Sequence, residues 1–221
     1  MQAILARIRA PQFPDRVFDI VQYGAIAGAQ ENSSDAIAKA IDACSKAGGR
    51  VLVPRGEFLT GPIHLKSNTN LHLEEGAVLK FSTDPQKYLP LVLTRFEGTE
   101  CMNYSPLIYA FEQNNVAVTG TGLLDGQADN DHWWSMRAKA KTDADALVAM
   151  ADRDVAVSQR IFGEGHYLRP NFFQPYRCNN LLIEGIRIRS SPMWELNPVL
   201  CRNVTVRNVK IASFGPNNDG C

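Results

Sequence analysis

Residues 180–188 read NLLIEGIRI and residues 203–211 read NVTVRNVKI, the second a copy of the first 23 positions later, with Cys178 and Cys201 in the same register just before them. The apolar residues fall at 181, 183, 186 and 188 in one copy and at 204, 206, 209 and 211 in the other. Alternation marks a strand with one buried face, and the one-residue slip in the middle marks a bend between two strand pieces. A chain that bends and returns at a fixed period stacks each coil on the last at about 4.8 Å, with an apolar interior. This reading is a parallel solenoid of the β-helix type. A leucine-rich repeat has a similar period but needs Leu at other offsets and a helical return segment, for which neither unit has room.

Working outward, the template fits Asn115 with Val116, Val118 and Leu123, and more loosely Asn70 with Leu71, Leu73 and Val78. The 45 residues from Asn70 to Asn115 read as two turns of the coil. Upstream, Asn32-Ser33-Ser34-Asp35 offers cap oxygens, Ile37, Ala40, Ile41 and Cys44 follow at helical spacing, and Gly48-Gly49 closes the segment. A solenoid needs its first coil shielded, so this helix is expected to cap the end before a strand at Val51 to Val53. Residues 127–170 break the period. They carry Trp133-Trp134 and an Ala-rich, charged stretch from Arg137 to Arg160 with helical character, an insertion of the kind that lines one face of a repeat protein. The whole is thus an all-β chain of one domain, 1–221, with an arm and capping helix in 1–50 and a partly helical insertion.

Composition narrows the function classes. Of 221 residues, 45% are hydrophobic and 21% charged, which supports a packed core and excludes a disordered chain. Lys plus Arg equals Asp plus Glu at 23 each, so bulk charge favours neither nucleic acid nor a membrane surface as a partner. No apolar run approaches the ~18 residues a spanning helix needs, and a soluble chain is expected. The opening MQAILARIRAPQFPD, with Arg7 and Arg9 inside its apolar stretch, does not read as an export signal. Five Cys at 44, 101, 178, 201 and 221 form no C-x-x-C pair, and Cys178 and Cys201 are expected to stack as reduced thiols in adjacent coils. His64, His72, His132 and His166 lack ligand spacing, so neither a metal nor another cofactor is expected. Gly120, Gly122 and Gly126 miss the dinucleotide fingerprint by one residue. Glu184 with Arg207, and Arg187 with Lys210, share register positions and read as a solvated ladder between coils.

Several motifs together resemble glycoside hydrolase family 28, the polygalacturonases and their relatives: Tyr23-Gly24-Ala25, Gly48-Gly49-Arg50-Val51-Leu52-Val53-Pro54-Arg55-Gly56-Glu57-Phe58, Thr60-Gly61-Pro62-Ile63, Gly120-x-Gly122-Leu123-Leu124-Asp125-Gly126 followed by Trp133-Trp134, Ser191-Pro192-Met193-Trp194, and Pro216-Asn217-Asn218-Asp219-Gly220. The resemblance implies a right-handed parallel β-helix that hydrolyses α-1,4-linked galacturonan with inversion, without a cofactor, as a monomer when complete and in a secreted or periplasmic setting. It also implies that Asp219 is one of the carboxylates activating water, with Asn218 standing where the family has Thr. The family's next landmarks, an Asp-Asp pair, a His-Gly pair and an Arg-x-Lys triplet, are absent from the 221 residues, which therefore resemble the N-terminal half of such an enzyme and are expected to be inactive alone.

Inversion needs a protonated acid and a base about 6.5 to 9.5 Å apart, so one Asp cannot perform the reaction. Subtracting one period from the Asp219 segment sets Trp194 beside Asn217 and Leu196 beside Asp219. Trp194 then offers a ring face to a sugar or packs in the core, and Asn197 and Asn217 offer amides to hydroxyls. Arg169 and His166 are the candidates for a galacturonate carboxylate, which an Arg fork binds in plane. Two other readings stand beside hydrolysis. A polysaccharide lyase on the same fold would need an acidic calcium site, and a non-catalytic carbohydrate-binding β-helix would need only the sugar contacts.

Overall fold

The computed structural model describes residues 8–221, so Arg7 and the start of the opening stretch lie outside the described residues. The chain winds as a right-handed parallel β-helix with three faces. The first sheet stacks Val17–Asp19, Gly49–Val53, Thr69–Leu73, Asn114–Gly120, Asn179–Glu184 and Arg202–Arg207. The second stacks Gly56–Thr60, Ala77–Phe81, Leu123–Asp125, Arg187–Arg189 and Lys210–Ala212. A third holds Ile63–His64, Ile108–Phe111 and Phe173–Tyr176, extended by bridges to Leu196 and Val199.

Side-chain alternation explains the interior. Val51, Val53, Leu71, Leu73, Val116 and Val118 are fully buried in the first sheet, and Leu181 and Ile183 are each 1% exposed. Burying each such side chain contributes about 1.5–3 kcal/mol. At the bend between first and second sheets Gly120 and Gly185 both take positive φ, and a Cβ on either would collide with a carbonyl of the coil below, that of Leu73 or Gly120. At the opposite corner Asn68, Asn115, Asn180 and Asn203 take the left-handed conformation, which Asn tolerates better than most residues. Their amides link coils, Asn115 Nδ2 to Asn68 Oδ1 at 3.2 Å and Asn180 Nδ2 to Asn115 Oδ1 at 2.7 Å.

The 23-residue step holds between the last two coils, where Asn179 pairs with Arg202 and Arg187 with Lys210. Earlier in the chain the expected register is corrected. Asn115 stacks on Asn68 rather than Asn70, and the 47 residues between them make a single turn, since Thr69–Leu73 and Asn114–Gly120 are direct neighbours. The extra length is an antiparallel hairpin, Val92–Phe96 with Thr99–Asn103, which leaves the coil without adding a strand to it. A second correction lies at the capped end. Val17–Asp19 pairs with Gly49–Val53, so the first sheet begins ahead of the helix rather than at Val51.

The helix itself spans Ser34–Ala47 and buries Ala36, Ile37, Ala40, Ile41 and Cys44. Its first free N–H, that of Ser34, is capped by Asn32 Oδ1 at 2.8 Å. The insertion contains the helix Ala140–Asp152, and its strand Ile161–Phe162 pairs with Thr99–Asn103. Hairpin and insertion share a small core of Phe96, Cys101, Ala140, Leu147, Phe162, Leu168 and Met193. Cys178 and Cys201 are free thiols, and each donates to backbone carbonyls, Cys178 to Ala110 at 3.3 Å and Cys201 to Pro175 at 3.2 Å. No helix among the described residues is long and apolar enough to cross a membrane.

Candidate functional site

After the strand Lys210–Ala212 the chain turns at 213–216 and then runs alongside the 191–197 segment in the same direction, continuing the coil. Asn218 makes that turn: its Oδ1 accepts from the Gly215 N–H at 2.7 Å and the Ser213 hydroxyl at 2.6 Å. Its Nδ2 donates to the Ser191 and Met193 carbonyls at 3.1 and 3.0 Å. The Trp134 indole N–H donates to the same Ser191 carbonyl at 2.8 Å, and its ring lies so close to Gly215 that a side chain there would strike it. Trp133 is buried edge-on against Tyr88 with ring centres 5.2 Å apart. Trp134 thus braces the turn from the insertion side, beside a Trp133 anchored in the core. Held this way, Asp219 is exposed to solvent.

Arg169 grips the same turn from below. It is 2% exposed, and its guanidinium donates to the Pro192 carbonyl and the Pro216 carbonyl at 2.8 Å each and to Asn217 Oδ1 at 2.7 Å. Burial pulls its pKa down to about 10, with repulsion from Arg137 adding to this and Glu97 opposing it. The residue read as a galacturonate clamp therefore uses its fork on the protein itself, and the Asn217 side-chain oxygen Oδ1 is occupied by it. Both remain next to Asp219 in the chain's path, where they order the turn.

The expected one-period alignment is corrected here as well. Glu195 N–H donates to the Asp219 carbonyl and Leu196 N–H to the Gly220 carbonyl, each at 3.1 Å, so the last segment runs parallel to the coil below but out of the 23-residue step. The turn at 213–216 displaces it. This places Glu195, which the sequence does not distinguish from a surface acid, directly beneath Asp219. Glu195 is fully buried and neither carboxyl oxygen has a hydrogen-bond partner. Burial pushes its pKa up to about 7; the Ser213 hydroxyl offsets part of the shift and the charge of Asp219 adds to it.

Trp194 is half-buried, packed against the hairpin–insertion core, and with Asn197, Pro198, Arg95, Glu97 and Gly98 it lines a cleft of about 330 Å³. The hairpin forms one wall because it lies on the outer face of the third sheet. There Tyr109 Oη donates to the Leu93 carbonyl at 2.6 Å, and Thr94 bonds Gln174. Asn197 Oδ1 accepts from Gln174 Nε2 at 2.7 Å and Asn171 Nδ2 at 3.3 Å, which orients its amide. His166 stands apart in its bonding, its Nδ1 2.8 Å from Asp143 of the insertion helix. So the structure joins Asp219, Asn217 and Arg169 in one turn and places Trp194 and Asn197 on the neighbouring coil. Gln174, Asn171 and Glu195 sit in no motif or repeat position that singles them out in the sequence. Among the described residues no group of three or more His, Cys, Asp or Glu side chains is placed to hold a metal.

Comparison with known proteins follows the same line. No family model matches the chain. Over 136 residues it is 33% identical to an exo-poly-alpha-D-galacturonosidase of Dickeya chrysanthemi, covering 58% of this chain and 21% of that one. Over 214 residues it is 26% identical to a probable polygalacturonase of Vitis vinifera, covering 91% and 38%. The crystal structure of a hyperthermoactive exopolygalacturonase from Thermotoga maritima superposes with a TM-score of 0.96 at 50% identity, over 99% of this chain and 52% of that one. A family 28 exopolygalacturonase from Yersinia enterocolitica, at 22% identity and a TM-score of 0.70, covers 93% of this chain and 40% of that one and shows the shared fold. The chain resembles the family 28 polygalacturonases, and it spans about half or less of the length of these relatives.

Proposed function

We propose that this chain carries the coil scaffold and one water-activating carboxylate, Asp219, of a glycoside hydrolase that cleaves α-1,4-linked galacturonan with inversion. The observation that carries the reading is the turn at 213–220, in which Asn218, Arg169 and Trp134 direct their polar groups to holding the backbone while the Asp219 carboxylate is left facing solvent. A carboxylate so held can take a proton from water attacking an anomeric carbon. It cannot also donate one to the leaving oxygen, so the acid and a second base are supplied by groups outside these 221 residues.

The cleft beside Asp219 fits a sugar chain at one end. The hairpin 92–103 lines the cleft with Trp194 and Asn197 and shares a core with the insertion, which supports removal of sugars from a chain end over cutting within it. The substrate is then a galacturonan of pectin, and a secreted or periplasmic location suits a polymer found outside cells. Among the described residues no acidic cluster is placed to support the lyase reading.

The test joins the 221-residue chain to the remaining half of the Thermotoga maritima exopolygalacturonase and measures reducing ends released from polygalacturonate, beside the chain alone. The chimera is expected to release single sugars, and Asp219→Asn to lower the rate about 10²–10⁴-fold. Equal rates with and without that substitution, or an ultraviolet-absorbing unsaturated product, would overturn the assignment.

A further inference from the structure

The turn that presents Asp219 rests on a carboxyl group that no part of the hydrolytic reading uses. Glu195 is fully buried, and both its oxygens lack partners. Its backbone N–H and that of Leu196 hold the Asp219 and Gly220 carbonyls. On its other side its carbonyl accepts from the Phe173 N–H at 2.9 Å, so Glu195 joins the 213–220 turn to the coil beneath. The charged group bearing on it from above is Asp219, of like sign, alongside the neutral Ser213 hydroxyl. Ser213 gives its proton to Asn218. From the coil beneath, the buried cation Arg169 directs its terminal nitrogens to Pro192, Pro216 and Asn217, not to Glu195.

A buried carboxylate with no cation paired to it and no hydrogen bond made to either oxygen is costly to keep ionised, so such a group favours holding its proton. We propose that Glu195 is a positioning residue for Asp219: in its neutral form it lets the 213–220 turn seat on the coil below, and its ionisation unseats that turn. The inference rests on the reading of Asp219 as catalytic only for its effect on rate; the seating itself is independent of any reaction.

The sign follows from linkage. The folded pKa, about 7, lies above the ordinary Glu value of 4.5, so the seated state binds one more proton than the open state between these values. The turn is therefore most firmly seated below about pH 4.5, and its opening constant rises by up to about tenfold per pH unit until about pH 7, above which it levels off.

Hydrogen exchange of the full 221-residue chain reads this at the Glu195 and Leu196 amides. After correction for the intrinsic pH dependence of exchange, their opening constants are expected to climb through that window in the native sequence and to stay flat in Glu195→Gln. A flat profile in the native chain, or an unchanged slope in the variant, would overturn the proposal. Should the variant not fold, the profile of the native chain decides by itself. In the chimera described above, Glu195→Gln is expected to move the alkaline limb of kcat/KM to higher pH. An inactive chimera would count against the hydrolytic reading and leave the exchange result standing.

Discussion

The two coils that repeat each other best in sequence differ most in surroundings. In the coil at 179–189, Leu181, Ile183 and Ile188 are each 1% exposed, enclosed by the coil of Asn114–Gly120 on one side and of Arg202–Arg207 on the other. In the next coil the matching Val204, Val206 and Ile211 are 36%, 41% and 38% exposed, because among the described residues nothing stacks on their outer side. Identical alternation thus yields core in one place and surface in the other. An apolar position in a solenoid is stabilising in proportion to the neighbours stacked on both of its sides, and the pattern within its own coil is silent about them.

Substitutions at matched positions sharpen the contrast. The largest effect is expected where backbone packs on backbone. Gly120→Ala forces a side chain into the Leu73 carbonyl at a positive φ and should cost at least about 3 kcal/mol in urea unfolding. Gly220→Ala, which meets only Ile211 at ordinary contact distance, should stay within about 0.5 kcal/mol. Next come the paired core positions. Ile183→Ala should cost about 3 kcal/mol, within the range for large-to-small core changes, and Val206→Ala less than about 1 kcal/mol because its side chain already meets water. Equal losses at the two sites would mean that the outer coil is covered in solution. Smallest is the ladder on the outer face. Arg207 Nε lies 2.7 Å from Glu184 Oε1, both partly in solvent, and Glu184→Gln should shift the unfolding midpoint slightly at low salt and not at all near 1 M salt.

How much was legible depended on whether a residue's role was set by its neighbours in sequence. The paired strands, the bend at Gly185, the register of Glu184 on Arg207 and the capping helix all follow from local alternation and turn chemistry, and all are present. The expected two turns from Asn70 to Asn115 are instead one turn from Asn68 to Asn115, because an inserted hairpin changes chain length without changing the stack. Arg169 read as a ligand for substrate, since an Arg in a loop ordinarily faces water; its three bonds to 192, 216 and 217 depend on segments 23 to 48 residues away.

Glu195 makes the same point from the opposite side. Nothing between Trp194 and Leu196 marks it as buried, and it becomes so only when the turn held by Asn218 folds over it. The amino-acid order alone therefore determined the coil, its pitch between the last two turns and the carboxylate that ends it, because these arise from the side-chain alternation of single strands. Which acid is dry, which Arg is occupied and which wall closes the cleft were decided by tertiary contact, since desolvation is a property of everything packed around a group and not of the group's neighbours along the chain.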